Sequence, residues 1–146
     1  MNLEVIGLDH IYVSVTDLAR SESFYDRIMP ALGFRKNSFL NDGDQHIQYY
    51  NRHFGFVLRP AKRKVAHDPS APGLHHFCLR VEDARTVEAI ARRFEELGVD
   101  CSAPQLYPEY APDYYAIFFN DPDGIRLEIT NYREERRKRN DHWESA

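Results

Sequence analysis

The sequence of 146 residues contains only two cysteines, Cys78 and Cys101, and no apolar run long enough to cross a membrane. Two cysteines are too few for a disulfide framework, so a hydrophobic core must stabilise the fold. The net charge of −4 lacks the positive excess that is typical of nucleic-acid-binding proteins. The first residues also lack the basic and apolar regions of a signal peptide. We therefore expect a cytoplasmic protein that binds neither membranes nor nucleic acid.

A ten-residue segment occurs twice in the chain. Residues 8–17 read LDHIYVSVTD, and residues 74–83 read LHHFCLRVED. Aligning the two copies places His10 on His76 and Asp17 on Asp83. The repeat predicts two similar modules that each contribute one histidine, and a metal ion is the usual reason for two such histidines to meet.

Both modules show the same order of patterns, a strand, a helix and then three strands. Asp17 and Asp83 are predicted N-caps of the two helices, and Pro30 should end the first helix near Met29. Period-2 alternation and turn residues predict the strands, at 8–15, 34–40, 45–50 and 54–59 in the first module and at 76–81, 99–103, 114–120 and 125–130 in the second. The domains expected are a first module (1–59), a proline-rich linker (60–73), a second module (74–131) and a charged C-terminal helix or tail (132–146).

These modules resemble the vicinal oxygen chelate superfamily, which includes glyoxalase I, extradiol dioxygenases, methylmalonyl-CoA epimerase, and the fosfomycin and bleomycin resistance proteins. The resemblance rests on residues 8–10, on residues 74–76, and on residues 120–129, which read NDPDGIRLEI. It implies an α+β fold in which two βαβββ modules form a curved, partly closed mixed sheet with a cavity. It also implies that Glu128, on the final strand, is a metal ligand.

His10, His76 and Glu128 would together form a set of two imidazoles and one carboxylate. Such a set leaves coordination positions open for substrate or water and suits Fe(II), Mn(II), Ni(II) or Zn(II). His75 is the competing candidate in the second module, but successive strand residues point to opposite faces. We therefore expect His75 to have a structural role or to support the ligand His76.

Many members of the superfamily have a fourth metal ligand on the last strand of the first module, and this sequence has Arg59 at that position. Aligning the two hairpins matches Gly55 with Gly124 and so places Arg59 at the position of Glu128. Arginine stays protonated and cannot bind a metal, so we expect three protein ligands, with Gln48 as the alternative fourth. Arg59 is then predicted to bind an anionic oxygen of the substrate.

Further polar groups are expected near the metal on the strand faces that carry the two histidines. Arg80 and Ser14 lie on these faces and are predicted to contact substrate. Tyr12, Tyr114 and Tyr115 are possible acid–base groups, and of these we select Tyr12 and Tyr115. Phe118 stands ten residues before Glu128, where extradiol dioxygenases usually have a tyrosine, and this weakens the dioxygenase interpretation.

The resemblance implies a metal-dependent enzyme, a lyase, dioxygenase or transferase, that acts on a small oxygen-rich and possibly anionic substrate. The metal would chelate substrate oxygens and stabilise an enolate-like or alkoxide intermediate. The alternative is a protein of the bleomycin-resistance kind that binds a small molecule without catalysis. A third possibility is a metal site that serves only the structure. A homodimer is expected, because family members pair modules across chains or pack chains together.

Overall fold

The computed structural model describes residues 1–145 of the chain. Residue contacts divide the chain into a first unit, Met1–Ala66, and a second unit that begins at His67. Each unit contains one four-stranded mixed sheet and one long helix. No helix in the described part of the chain is long and apolar enough to cross a membrane.

The first unit has the strand order β1-β4-β3-β2. Its β1 runs parallel to β4, and the other neighbouring strands are antiparallel. Both β1 and β2 are edge strands, so this sheet is open. The elements, in chain order, are β1 (His10–Val15), α1 (Leu18–Ile28), β2 (Arg35–Asn41), β3 (Asp44–Tyr50) and β4 (Gly55–Pro60).

Local sequence explains where α1 begins and ends. Asp17 caps it, because the Asp17 carboxylate accepts a hydrogen bond from the Arg20 amide at 3.0 Å. Pro30 begins a short 3₁₀ turn directly after the helix, as its ring and missing amide proton require. Gly33 then adopts φ +83°, a left-handed conformation that glycine reaches without strain.

Tyr49 of β3 joins the first sheet to α1. The residue is fully buried, and its hydroxyl donates to Asp26 Oδ1 at 2.8 Å and contacts the backbone oxygen of Glu22 at 3.3 Å. The rings of Tyr25 and Phe56 pack 5.0 Å apart beneath the same helix. The apolar face of β1, Val13 and Val15, is buried, whereas His10, Tyr12 and Ser14 on the opposite face remain at least partly exposed.

The second unit repeats this arrangement with the strand order β5-β8-β7-β6. Phe94 of α2 is fully buried and packs its ring edge-to-face on Phe119 at 5.0 Å. The helix therefore covers the face of β7 that carries Phe119. The elements, in chain order, are β5 (His76–Val81), α2 (Ala84–Glu96), β6 (Gln105–Leu106), β7 (Tyr115–Asn120), β8 (Arg126–Asn131) and α3 (Glu134–Asp141).

The predicted α+β fold of two βαβββ modules is confirmed, although the strands form two open four-stranded sheets and not one partly closed sheet. The prediction of a strand at 99–103 is wrong. Ser102 does bond to Phe118 through its backbone amide and its hydroxyl, but the ladder itself begins only at Gln105. The charged segment predicted at 132–146 contains α3; its last residue, Ala146, lies outside the described residues.

Candidate metal centre

Glu128 is a buried carboxylate that faces an imidazole. The residue is only 3% exposed, and its Oε2 lies 3.3 Å from Nε2 of His76. The parallel pairing of β5 with β8 sets this contact, because it pairs His76 with Arg126 and Cys78 with Glu128. A buried carboxylate needs such partners, since burying an isolated charge is costly.

Tyr114 is the second partner of Glu128. Its hydroxyl donates a hydrogen bond to Oε1 of the carboxylate. Burial and this hydrogen bond raise the pKa of Tyr114, so the phenol stays protonated. Cys78 Sγ lies 3.9 Å from the same hydroxyl, and burial followed by the Glu128 charge raises the pKa of Cys78 to about 12.

Each candidate ligand histidine is held through Nδ1 by the residue that precedes it. In the second unit, His75 Nδ1 lies 2.7 Å from His76 Nδ1. In the first unit, Asp9 Oδ1 lies 2.7 Å from His10 Nδ1. Both contacts leave Nε2 as the nitrogen that can bind a metal, and such outer contacts orient metal-binding histidines. His75 therefore contacts His76 and not Glu128.

In the first unit, His10 borders a cavity of about 340 Å³ that Tyr12, Gln48, His53 and Val57 also line. The Tyr12 ring stands edge-to-face to His10, with centroids 5.3 Å apart. Gly55 pairs with His10 across the ladder, and a Cβ there would lie 3.3 Å from Gln48 Nε2. A glycine at this position leaves room for the Gln48 amide in the wall of the cavity that His10 borders.

The predicted equivalence of Arg59 and Glu128 is wrong. His10 pairs with Gly55 in the first unit, and His76 pairs with Arg126 in the second. Counting two residues along β4 and β8 makes Val57 the counterpart of Glu128. The first hairpin loop is one residue shorter than the second, because Tyr50 pairs with Gly55 while Asn120 pairs with Arg126. Valine cannot bind a metal, so the expectation of three protein ligands does not depend on Arg59.

The structure separates the predicted polar residues of the two units into different surroundings. Arg59 pairs with Ser14 across the ladder, and its guanidinium approaches Asp44 at 4.0 Å. In the second unit, Arg80 is exposed and its guanidinium lies 4.5 Å above the ring of Tyr132.

Tyr115 does not reach Glu128. Its hydroxyl contacts Glu88 of α2 at 3.1 Å and the backbone oxygen of Pro104 at 3.4 Å, so it lies on the helix side of the sheet. Tyr114 replaces it in the candidate site. The two tyrosines are adjacent, and strand alternation alone decides which one faces Glu128.

The described donor set suits a divalent metal ion. Nitrogen and oxygen ligands of a tetrahedral metal lie roughly 3.4 Å apart, close to the 3.3 Å between His76 Nε2 and Glu128 Oε2. Across residues 1–145, no group of three or more histidine, cysteine or acidic side chains has a geometry that could hold a metal ion. Within the described residues, the His76–Glu128 pair by itself therefore does not make a metal site.

The glyoxalase/bleomycin resistance protein/dioxygenase superfamily model matches residues 7–129. The chain belongs to this superfamily. An uncharacterized protein from Escherichia coli strain K12, YaeR, is 32% identical over 82% of this chain and 92% of that protein. The metallothiol transferase FosB of Bacillus licheniformis is 25% identical over 88% of this chain and 77% of that protein.

Solved structures show the same fold. A glyoxylase/bleomycin resistance protein/dioxygenase domain from Frankia sp. EAN1pec aligns with a TM-score of 0.72 at 22% identity, over 89% of this chain and all of that one. A mutant of the fosfomycin resistance protein FosX from Listeria monocytogenes, complexed with Mn(II) and dihydroxypropylphosphonic acid, aligns with a TM-score of 0.64. That structure is 16% identical over 92% of this chain and 99% of its own.

Proposed function

We propose that this chain is a metal-dependent enzyme in which His10, His76 and Glu128 bind one divalent ion of Fe, Mn, Ni or Zn. The observation that carries the proposal is the buried Glu128 carboxylate facing His76 Nε2 at 3.3 Å. We include His10 as a ligand because the sequence repeat aligns it with His76, and because its Nδ1 is held by the preceding residue, Asp9, as Nδ1 of His76 is held by His75.

The comparisons support an enzyme with a small substrate that carries several oxygens. One relative is named as a metallothiol transferase, and one structural neighbour holds Mn(II) together with a phosphonic acid. Two histidines and one carboxylate leave open positions on a metal that substrate oxygens can occupy. We therefore favour a lyase, dioxygenase or transferase reaction on a small oxygen-rich substrate.

The metal, when bound, would polarise substrate oxygens as a Lewis acid. The chain's own residues orient that chemistry. Asp9 and His75 fix the two imidazoles through Nδ1, and Tyr114 holds one carboxylate oxygen of Glu128. Tyr12, edge-on to His10, places a hydroxyl on the His10 face of β1, where it can exchange a proton with bound substrate.

Calorimetric titration of the metal-free full-length protein with MnCl₂ tests the proposal. Loss of one ligand, in His10→Ala, His76→Ala or Glu128→Gln, should weaken Mn(II) binding by about 100-fold or more, since removal of supporting groups alone costs about 10–100-fold. His53→Ala is the matched control, because His53 lines the same cavity as His10 without a proposed ligand role. Wild-type affinity in any of the three ligand variants would refute the assignment.

The homodimer remains a proposal, based on the two-module architecture. Analytical ultracentrifugation at micromolar concentration should give twice the mass of one 146-residue chain. A monomer mass across the concentration range would contradict it.

A further inference from the structure

Arg133 is a buried cation with few partners. The residue is 7% exposed and follows β8 directly before α3. Its Nε is buried and has no hydrogen-bond partner among the described residues. Its ion-pair partner Glu135 lies 3.7 Å away, and the Glu135 side chain is 54% exposed. Guanidinium carries five donors in a fixed plane, and a buried donor such as this Nε–H is costly to leave without an acceptor.

The position of Arg133 connects it to the candidate metal centre. Its guanidinium carbon lies 4.7 Å above the ring of Tyr114, and the Tyr114 hydroxyl donates to Glu128. Arg133 thus belongs to the same polar cluster of the second unit as His76 and Glu128, although it binds neither.

Stacking alone does not account for a buried guanidinium at this position. A cation–π contact uses the face of the guanidinium and gives its in-plane N–H donors no acceptor, so the buried Nε–H stays without a hydrogen bond. Three other arginines of the second unit also stack on rings: Arg126 on Phe118 at 4.2 Å, and Arg80 and Arg137 on Tyr132 at 4.5 and 4.3 Å. Arg126 and Arg80 are exposed, so water completes their hydrogen bonds. Arg137 donates to the carboxylate and the backbone oxygen of Glu82 at 2.9 Å, so none of the three needs an anion.

We propose that Arg133 binds an oxyanion group of the substrate, a carboxylate or a phosphate-type group, beside the Tyr114–Glu128 pair. This deepens the proposed function, on which it rests, by naming the substrate as an anion and Arg133 as the residue that binds its charge. The Nε–H and one terminal nitrogen of guanidinium match two oxygens of such a group. The assignment replaces the sequence prediction for Arg59. The Nε of Arg59 is also buried without a partner, but its side chain is more exposed and its guanidinium already has Asp44 at 4.0 Å.

Calorimetric titration of the full-length protein with inorganic phosphate and, separately, with acetate tests this assignment without added metal. Loss of a charge-assisted hydrogen bond costs about 1.5–3 kcal/mol, so Arg133→Gln should weaken binding of the preferred anion by about 10–150-fold. Arg133→Lys should bind the anion more tightly than Arg133→Gln but more weakly than the wild type, since lysine keeps the positive charge but lacks the paired N–H donors of guanidinium. Arg126→Gln and Arg59→Gln are matched controls and should stay within about twofold of wild type.

Metal binding separates this inference from the proposed function. MnCl₂ titration of Arg133→Gln should match the wild type, and its urea unfolding curve should show a folded protein. If Arg133→Gln and Arg126→Gln weaken the anion equally, or if wild-type protein binds neither phosphate nor acetate, the inference is wrong while the metal assignment stands. A preference for phosphate over acetate, or the reverse, identifies the acid group of the substrate. If Arg133→Gln fails to fold for reasons unrelated to anion binding, Arg133→Lys provides the test. If folded Arg133→Lys binds the anion with wild-type affinity, the role of Arg133 in anion binding is wrong.

Discussion

Tyr49→Phe removes one buried hydroxyl and so measures how strongly α1 is held to the first sheet. That hydroxyl lies 2.8 Å from Asp26 Oδ1 and 3.3 Å from the Glu22 backbone oxygen. A hydrogen bond to a charged group contributes about 1.5–3 kcal/mol. Asp26 keeps Lys36 as another partner at 2.9 Å, so we expect a loss near the lower limit, about 1.5 kcal/mol, in urea unfolding at neutral pH.

The Tyr49 hydroxyl should also make the free energy of unfolding depend on pH. Burial, followed by the hydrogen bond to Asp26, raises the pKa of Tyr49 above its ordinary value of 10.0. Because the folded pKa exceeds the unfolded one, the stabilisation is fully present below the unfolded pKa and is lost as the pH rises past it. Wild type should therefore lose more stability than Tyr49→Phe between about pH 8 and pH 11. Tyr50→Phe, at a partly exposed position one residue along, is the matched control. Equal effects of the two variants at neutral pH, or parallel pH profiles of wild type and Tyr49→Phe, would refute this reasoning.

Three further predictions concern the second helix and the metal centre. Hydrogen bonds from the first turn of α2 lower the pKa of Asp83 below 3.8, so this cap stabilises the fold above that pH and is lost below it. Asp83→Ala should flatten the decline of stability between neutral and acid pH, and an unchanged slope would contradict the cap. Tyr114→Phe should weaken Mn(II) binding by about tenfold, whereas Tyr115→Phe should leave it unchanged; the reverse order would return Tyr115 to the site. Val57→Glu should tighten Mn(II) binding if the protein stays folded, and Arg59→Glu should not; tightening by Arg59→Glu alone would restore the original hairpin alignment.

Period-2 alternation and strong caps made most of the fold predictable. The strands of the first module were predicted to within about two residues at each end, because Val13 and Val15 alternate with polar residues and turn residues bound each run. Asp17 and Asp83 cap helices as their positions indicate. The segment 99–103 was predicted as a strand because the second module repeats the order of the first, but only Ser102 bonds to β7 there.

The errors at the site share one cause, a shift of one or two residues along a strand. A shift of one residue moves a side chain to the opposite face, and this separates Tyr114 from Tyr115. The sequence alignment matched Gly55 with Gly124, whereas the strand pairing makes Gly55 the counterpart of Arg126, two residues further along. This moves the counterpart of Glu128 from position 59 to Val57. Arg133 could not be recognised from the sequence, since its burial against Tyr114 depends on where the chain turns after β8.

The number of imidazoles at the metal distinguishes a site formed by both histidines from one formed by His76 alone. X-ray absorption spectroscopy of the Zn(II)-loaded protein counts the imidazoles bound to the metal. We expect two imidazoles with oxygen ligands in the wild type, and one imidazole in His10→Ala and in His76→Ala. A wild-type spectrum with a single imidazole, or an unchanged spectrum for His10→Ala, would contradict it.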